Sequence, residues 1–194
     1  KTGRLSITLL DQLKEENAAK NALLAKVLRR GTARHPDMES ISKELDNLYG
    51  ASIEYMVRKF GEVQAITFFA DFVDDRYVKD GGKILERVAA LLGEIVLNPK
   101  TKGGRLEGEF VESEKKNLIN EINAQINNKR SYSVTRLVEL MCSKEAFGTG
   151  RLGSAQRAEE ISVGALTKRY KELMSEAEVH VFYCGSADVR RVED

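Results

Sequence analysis

The sequence predicts an α+β fold, a two-layer sandwich in which a mostly antiparallel sheet packs against helices. Leu5, Ile7 and Leu9 alternate with polar residues, which indicates an opening strand. Two further alternating segments are joined by the short link at residues 60–62, which is typical of a hairpin of antiparallel strands. Amphipathic stretches with helical spacing surround that hairpin, and this order of strands and helices is typical of an α+β sandwich.

Specific residues mark the ends of each helix predicted in the first half of the chain. Apolar residues at 23, 24, 27 and 28 share one helical face, and Gly31 ends that helix. Asp37 is the expected N-cap of a second helix, which Gly50 stops. A third helix ends at Asn98-Pro99, because proline cannot continue it. We therefore expect helices over residues 16–30, 37–49 and 83–97, and hairpin strands over 53–59 and 63–72.

The second half is predicted to be mainly helical. Residues 100–108 are polar and contain three glycines, so we expect a loop there. Helices are predicted over 109–128, 133–144 and 163–175, and a final strand over 179–184 joins the sheet. The glycine-rich run 148–153 has neither a preceding strand nor the Gly-Lys-Ser of a phosphate loop, so turns explain it better than nucleotide binding.

Composition bounds the class of protein. The 194 residues, 42% of them hydrophobic, fit a single domain over 1–194 with one buried core. With 31 Lys and Arg against 30 Asp and Glu, the chain has no field favouring nucleic acid or an acidic membrane. Two distant cysteines fit a reducing compartment, and no apolar run approaches a membrane span. We therefore expect a cytoplasmic protein with no nucleic-acid or membrane partner.

The two ends of the sequence suggest a piece of a longer protein. The first residue is Lys1 and not Met, and residues 186–194 look like the start of an interrupted element. We expect the chain to be a fragment of a two-domain protein.

One predicted helix has the residue pattern that surrounds a zinc site but lacks the side chains that would bind zinc. Imidazoles at positions i and i+4 of a helix can bind one zinc ion, while a carboxylate at i+3 polarises its water. The leucine-rich turn closed by a basic pair and Gly-Thr resembles the first metal helix of the insulinase-like metallopeptidases (family M16), which carry His-x-x-Glu-His there. In register, the two His positions fall on Ala22 and Lys26 and the catalytic Glu position on Ala25. The stretch reads Asn21-Ala22-Leu23-Leu24-Ala25-Lys26-Val27-Leu28-Arg29-Arg30-Gly31-Thr32.

The resemblance extends along nearly the whole chain. In this family a second helix supplies the third zinc ligand, a Glu seven residues after another acidic residue, and Glu114 and Glu121 match that spacing. Seven residues are close to two turns, so both should share a face. The other matching segments are Leu48-Tyr49-Gly50-Ala51, Leu97-Asn98-Pro99, Phe147-Gly148-Thr149-Gly150-Arg151-Leu152-Gly153-Ser154 and Glu160-Ile161-Ser162. The resemblance implies the M16 (LuxS/MPP-like) metallohydrolase fold and an N-terminal-type domain.

The missing ligands change what the resemblance implies about the site. Alanine offers no lone pair, and a lysine ammonium only donates, so we expect neither catalytic residues nor zinc or any other cofactor. If the two metal helices keep their placement, Lys26 should point toward Glu121, so that its ammonium or an ordered water stands where the ion would be. Without the resemblance, Glu114 and Glu121 are more simply an acidic stripe. The basic residues Lys26, Arg29, Arg30 and Arg34 could contact phosphate, but are more simply solvated cations at a helix C-terminus.

Other side chains are poor replacements for the lost ligands. His35, His180, Cys142 and Cys184 show no ligand spacing such as His-x-x-x-His or Cys-x-x-Cys. His35 is predicted in a loop and His180 in a strand, while both cysteines are predicted to pack in the core.

The predicted function is that of a catalytically silent M16 peptidase-like domain. M16 proteins often work as pairs in which one subunit keeps the zinc while the other completes a clam-shaped chamber or helps to hold substrate. This chain resembles the second kind, and in particular the inactive M16-like proteins of Gram-positive bacteria that are associated with modification of elongation factor P. The expected partner is an active M16 subunit or a second M16 domain of the same chain, with a peptide or protein substrate.

Two alternatives remain open at this point. The first is an active zinc peptidase that uses non-standard ligands. The second is an independent module that captures a peptide by strand addition at an exposed sheet edge, or that binds nucleic acid.

Overall fold

A computed structural model describes residues 1–79 and 83–193. The described residues form six strands: β1 (Thr2–Gln12), β2 (Ser52–Phe60), β3 (Val63–Val73), β4 (Thr101–Lys102), β5 (Arg105–Leu106) and β6 (Glu178–Cys184). They also form eight α-helices: α1 (Glu15–Leu28), α2 (Met38–Asn47), α3 (Ile84–Leu97), α4 (Gly108–Ala124), α5 (Lys129–Met141), α6 (Ala155–Glu159), α7 (Val163–Glu176) and α8 (Val189–Glu193).

The main sheet has four strands in the order β2-β3-β1-β6, and every neighbouring pair is antiparallel. Leu5 of β1 lies opposite Ala70 of β3 on one side and Tyr183 of β6 on the other. Side chains alternate between the two faces of the sheet, and Leu9, Ile66 and Phe68 belong to the buried face. The predicted α+β sandwich with an antiparallel sheet is confirmed.

Helix α1 lies in the middle of the helical layer. Nine of its 14 residues are buried, so water reaches almost none of its circumference. It contacts the sheet through β2 and β3, and it contacts α4, α6 and α7 on its other sides. A helix that is buried all round must have a partner for every polar side chain that it carries.

Asn21 shows how α1 meets that requirement. Its amide Nδ2 donates to Asp11 Oδ2 and to Gln64 Oε1, at 2.8 Å each, and its Oδ1 accepts from Arg169 Nε at 2.9 Å. Arg169 also donates to Asp11, which completes an ion pair. This polar network joins β1, β3, α1 and α7 at the centre of the molecule.

Several local features differ from the sequence-based expectation. The stretch 100–108, expected to be a loop, contains the β4–β5 hairpin, which turns at Gly103 and Gly104 with positive φ. Helix α6 was not predicted, since its five residues are too short to show a periodic pattern. The helix predicted to reach residue 128 ends as α4 at Ala124 and continues as a 3-10 turn.

The prediction for the cysteines was also wrong. Cys142 is only half-buried and Cys184, near the end of the edge strand β6, is exposed. Of residues 186–194, Asp194 lies outside the described residues, and 189–193 form α8. Within the part of the chain that the structure describes, no helix combines the length and apolarity needed to cross a bilayer.

Replacing Asn21 with alanine is expected to lower the free energy of unfolding by about 2 to 4 kcal/mol, because it removes three buried hydrogen bonds and leaves Gln64 Oε1 and Arg169 Nε without the partner that Asn21 provides. Urea denaturation followed by circular dichroism measures this loss. The exposed Asn47→Ala serves as the control, with an expected change within about 0.5 kcal/mol. Equal effects of the two substitutions would contradict a structural role for the network.

Candidate functional site

The site that the sequence predicts is formed where α1 packs against α4. Lys26 Nζ lies 2.8 Å from Glu121 Oε2, and it also donates to the hydroxyl of Tyr55 on β2 at 3.1 Å. Ala22 and Ala25 lie one turn before and one residue before Lys26 on α1, and both are buried. The structure therefore brings a cation and a carboxylate into direct contact where the two helices face each other.

Electrostatics keep Lys26 charged. Burial by itself would lower the pKa of Lys26, but the hydrogen bonds to Glu121 and Tyr55 outweigh burial and hold that pKa above its ordinary value. Only 10% of the Lys26 side chain is exposed, against 42% for Glu121. At neutral pH this position is thus a fixed ammonium cation that is partly shielded from water.

A second ion pair lies next along the same helix interface. Arg30 follows Lys26 by four residues, just beyond the end of α1, and its Nη1 lies 3.1 Å from Oε1 of the buried Glu114. Because the pairs run Lys26 with Glu121 and Arg30 with Glu114, the chain leaving α1 and helix α4 cross this interface in opposite directions. Two cations at the C-terminal end of α1 are thus matched by two carboxylates on one face of α4.

The simpler sequence-based interpretations of these charges were wrong. Glu114 is buried and also accepts from Asn117 Nδ2 at 3.0 Å, so it is not part of a solvated acidic stripe. Arg29 is held by the carbonyl of Ile53 at 3.1 Å and by Glu54 at 2.9 Å. Of the basic cluster, Lys26, Arg29 and Arg30 are therefore ion-paired and not simply solvated.

A cleft of about 290 Å³ opens beside the Lys26–Glu121 pair. Arg151 lies over it, with Nη2 at 3.8 Å from Glu121 Oε1 and Nη1 donating to the carbonyl of Val57 at 3.2 Å. The other residues that line the cleft come from α1 and its C-cap, from β2, from α4 and from the segment that follows Arg151. They are Ala22, Lys26, Arg29, Glu54, Tyr55, Met56, Val57, Glu121 and Leu152.

The glycine-rich run positions Arg151 over the cleft. Gly153 has a φ of +68°, and a Cβ at this position would lie 2.6 Å from the backbone nitrogen of Ala19 in α1. The carbonyl of Arg151 accepts from Gln64 Nε2 at 2.7 Å. The run is therefore a close-packed turn against α1, which is more specific than the general turn role that the sequence predicts.

The side chains at this site do not fit a zinc ion. Zinc needs three or four electron-pair donors, whereas Ala22 and Ala25 present methyl groups and Lys26 presents a cation that already bonds the retained carboxylate Glu121. Across residues 1–79 and 83–193, no group of three or more His, Cys, Asp or Glu side chains is arranged to bind a metal ion.

The histidines and cysteines lie away from this cleft. His35 is in the loop after α1, with Nδ1 at 3.5 Å from Glu94 Oε1. His180 is on the edge strand β6, where Nε2 lies 2.7 Å from Glu178 Oε1. None of His35, His180, Cys142 and Cys184 lines the cleft.

Sequence reasoning missed Tyr55 and Arg151 as members of the site. Tyr55 lies on β2, where alternation places its side chain on the buried face with Ile53 and Val57. That alternation was a usable signal for its orientation. Nothing in the spacing from Lys26 to Arg151 indicates contact, because the segment reaches the cleft only through long-range packing.

Replacing Lys26 with methionine is expected to lower the free energy of unfolding by about 1 kcal/mol at pH 7, since Glu121 is partly exposed and screening weakens the pair. The raised pKa of Lys26 means that the unfolded chain loses this proton first as pH rises past 10.5. The difference between wild type and variant should therefore be constant below that pH and shrink above it. Chemical denaturation from pH 7 to 11.5 measures it.

The control for this substitution is Lys43→Met. Lys43 forms an exposed pair with Glu39, and its replacement is expected to change stability by less than about 0.5 kcal/mol. A pH-independent difference for Lys26→Met, or one no larger than that of the control, would contradict a stabilising ion pair at the site.

Comparisons with known proteins identify one curated relative and several solved structures with a similar fold. No family model matches the chain. The chain is 31% identical over 193 residues to the "Probable inactive metalloprotease YmfF" of Bacillus subtilis (strain 168), a match that covers 100% of this chain and 45% of that protein.

Two solved structures have similar folds. A conserved protein from Enterococcus faecalis V583 superposes with a TM-score of 0.93 at 25% identity, covering 99% of this chain and 45% of that one. A peptidase M16 inactive domain from Pseudomonas fluorescens superposes with a TM-score of 0.68 at 16% identity, covering 98% of this chain and 43% of that one.

This chain spans less than half the length of the proteins that it matches. The two solved structures nevertheless superpose on 98% and 99% of this chain. The chain is thus similar to a protein named as a probable inactive metalloprotease, it has the fold of a peptidase M16 inactive domain, and its printed sequence contains no His-x-x-Glu-His.

Proposed function

We propose that this chain is a catalytically silent M16 peptidase-like domain that completes the chamber, or holds substrate, for an active zinc peptidase subunit. The observation that carries the proposal is the 2.8 Å ion pair between Lys26 and Glu121. A carboxylate that binds an ammonium in this way is no longer an open metal ligand. Zinc-dependent hydrolysis also needs a base beside the polarised water, and Ala25 has none.

The preserved architecture supports a role beyond catalysis. The ammonium of Lys26 supplies the positive charge that Glu121 needs in a shielded cleft, so the interface of α1 and α4 stays intact without an ion. A domain whose role is to complete a chamber needs its helices and its sheet, but it does not need a bound metal ion.

Exposed apolar surface supports a partner. On α5, Val134, Leu137 and Met141 follow the i, i+3, i+7 spacing of one helix face, and their exposed fractions are 59%, 56% and 74%. On β6, Val181 and Phe182 are also largely exposed. An exposed apolar helix face such as that of α5 is typical of interaction sites. We propose that a zinc-bearing M16 subunit, or a second M16 domain of the same protein, covers it.

The alternatives have less support. An active peptidase with non-standard ligands would need a donor cluster, and the described side chains provide none of three or more members. A module that adds a peptide strand to the β2 edge would need free carbonyls, but Arg29 and Arg151 already donate to the carbonyls of Ile53 and Val57.

Co-expression of the full-length protein with an M16 subunit that carries His-x-x-Glu-His tests the proposal. We expect the two to co-purify, and we expect cleavage of an unfolded peptide by the active subunit to rise severalfold in the pair. The full-length protein alone should leave the peptide intact with or without zinc. Zinc-dependent cleavage by the silent protein alone would overturn the proposal, as would the absence of both co-purification and stimulation.

Introducing histidines at the two expected ligand positions tests whether α1 and α4 are still placed to bind zinc. In Ala22→His/Lys26→His, two imidazoles lie at i and i+4 on α1 with Glu121 as the third donor, so we expect about one bound zinc per chain, measured by elemental analysis of the purified protein. Adding Glu121→Gln as the matched control should remove the zinc. Circular dichroism checks that the variants fold.

The zinc content of the wild-type protein tests independently whether the site is silent. It should contain far less than one zinc per chain after purification. Tightly bound stoichiometric zinc in the wild type would contradict the silent assignment, even if the double-histidine variant failed to fold.

A further inference from the structure

Strand β2 lies at an edge of the sheet, and the side of its backbone that faces away from β3 forms the rim of the cleft. Two guanidinium groups donate hydrogen bonds to carbonyls on this side. Residues 61–62 form a two-residue loop that pairs Phe60 with Val63, so odd-numbered residues of β2 turn their backbone groups away from β3. Arg29 Nε donates to the carbonyl of Ile53, and Arg151 Nη1 donates to that of Val57. The two arginines are therefore fixed on either side of Tyr55.

Arg151 retains most of its hydrogen-bonding capacity. A guanidinium has five N–H groups, and among the described residues Arg151 uses one of them in a hydrogen bond, since Glu121 Oε1 is 3.8 Å away. Its side chain is 46% exposed, so the remaining donors face water in the cleft. This group is held in place by Val57 and can still accept an anionic partner.

The cleft carries an excess of positive charge. Its lining includes the three cations Lys26, Arg29 and Arg151 against the two carboxylates Glu54 and Glu121, a net charge of +1. Lys26 neutralises Glu121 at 2.8 Å, so Glu121 repels an incoming anion only weakly. In a metal-binding version of this site the charges would be arranged to attract a cation, and here the balance is reversed.

We propose that the cleft binds a carboxylate of an extended peptide, with Arg151 as its main anchor and Arg29 as the second positive group. This inference rests on the substrate-holding form of the proposed function and specifies the chemistry of the substrate. A planar guanidinium binds a carboxylate through two parallel hydrogen bonds, and a single negative charge matches the net +1 of the lining. The carboxylate comes from a peptide C-terminus or from an acidic side chain.

A carboxylate can bind to Arg151 while Arg29 and Arg151 keep their hydrogen bonds to the β2 carbonyls. Strand addition would require Arg29 and Arg151 to release the carbonyls of Ile53 and Val57, whereas binding a carboxylate uses N–H groups that those contacts leave free. The ligand then lies across the cleft, against Tyr55 and Met56.

The test measures fluorescence anisotropy of the full-length protein with three labelled alanine-rich hexapeptides. One has a free C-terminal carboxylate, one is amidated, and one is amidated with an internal glutamate. We expect the free acid to bind about tenfold more tightly than the plain amide, with weaker binding at high salt. Preferential binding of the glutamate peptide would instead identify an acidic side chain as the source of the carboxylate.

Arg151→Gln is the diagnostic variant, because it keeps a hydrogen-bonding side chain and removes the charge. We expect it to abolish the preference for a carboxylate while leaving the weak binding of the plain amide unchanged. Arg157→Gln is the matched control, since Arg157 is comparably exposed at 51% with its carboxylates at 3.8 Å, and it does not line the cleft. The Arg157→Gln variant should prefer the carboxylate peptide as strongly as the wild type does.

The outcomes separate this inference from the proposed function. Equal binding of all three peptides, no binding of any, or a preference that survives Arg151→Gln would overturn the carboxylate site. Stimulation of an active subunit without carboxylate preference would overturn the site alone. A carboxylate preference without any effect on an active subunit would support the site and overturn the partner role.

Discussion

The structure depends on the burial of helix α1. Because the sheet, α4, α6 and α7 surround it, a polar group on α1 is stable only where a partner is already in place. Asn21 finds partners on three other elements, and Lys26 finds Glu121 and Tyr55. The helix that resembles the first metal helix of M16 peptidases is therefore also the helix whose polar contacts hold this domain together.

The same constraint explains how the domain can lose its metal ligands and keep its architecture. Without a cation at this place, Glu121, which is 42% exposed, and the buried Glu114 would face the helix interface without a counter-charge, and the cost is larger for the buried group. Lysine at position 26 provides that charge from within the chain, and Arg30 does the same for Glu114 one turn later. The result is an antiparallel packing of α4 against α1 and the residues just after it, joined by two ion pairs.

The β2 edge of the sheet is occupied by side chains of the site. Arg29, just after α1, and Arg151 of the glycine-rich segment donate to the carbonyls of Ile53 and Val57, so this edge strand is protected against pairing with another chain. The groups that protect this edge are also groups that give the cleft its positive charge.

Periodicity was sufficient to predict the sandwich, the long helices and the antiparallel sheet, because burial of one apolar face per element is already present in the spacing of residues such as Leu23 and Val27. The expectation that Lys26 faces Glu121 came from the resemblance to the metal helices of M16 peptidases and not from periodicity. The sequence could not show the short β4–β5 hairpin, helix α6 or the exposure of Cys184. It also could not place Tyr55 and Arg151 beside Lys26. Local periodicity carries no information about which distant segments meet, and only the packing of β2 and the turn at Gly153 against α1 decided the composition of the cleft.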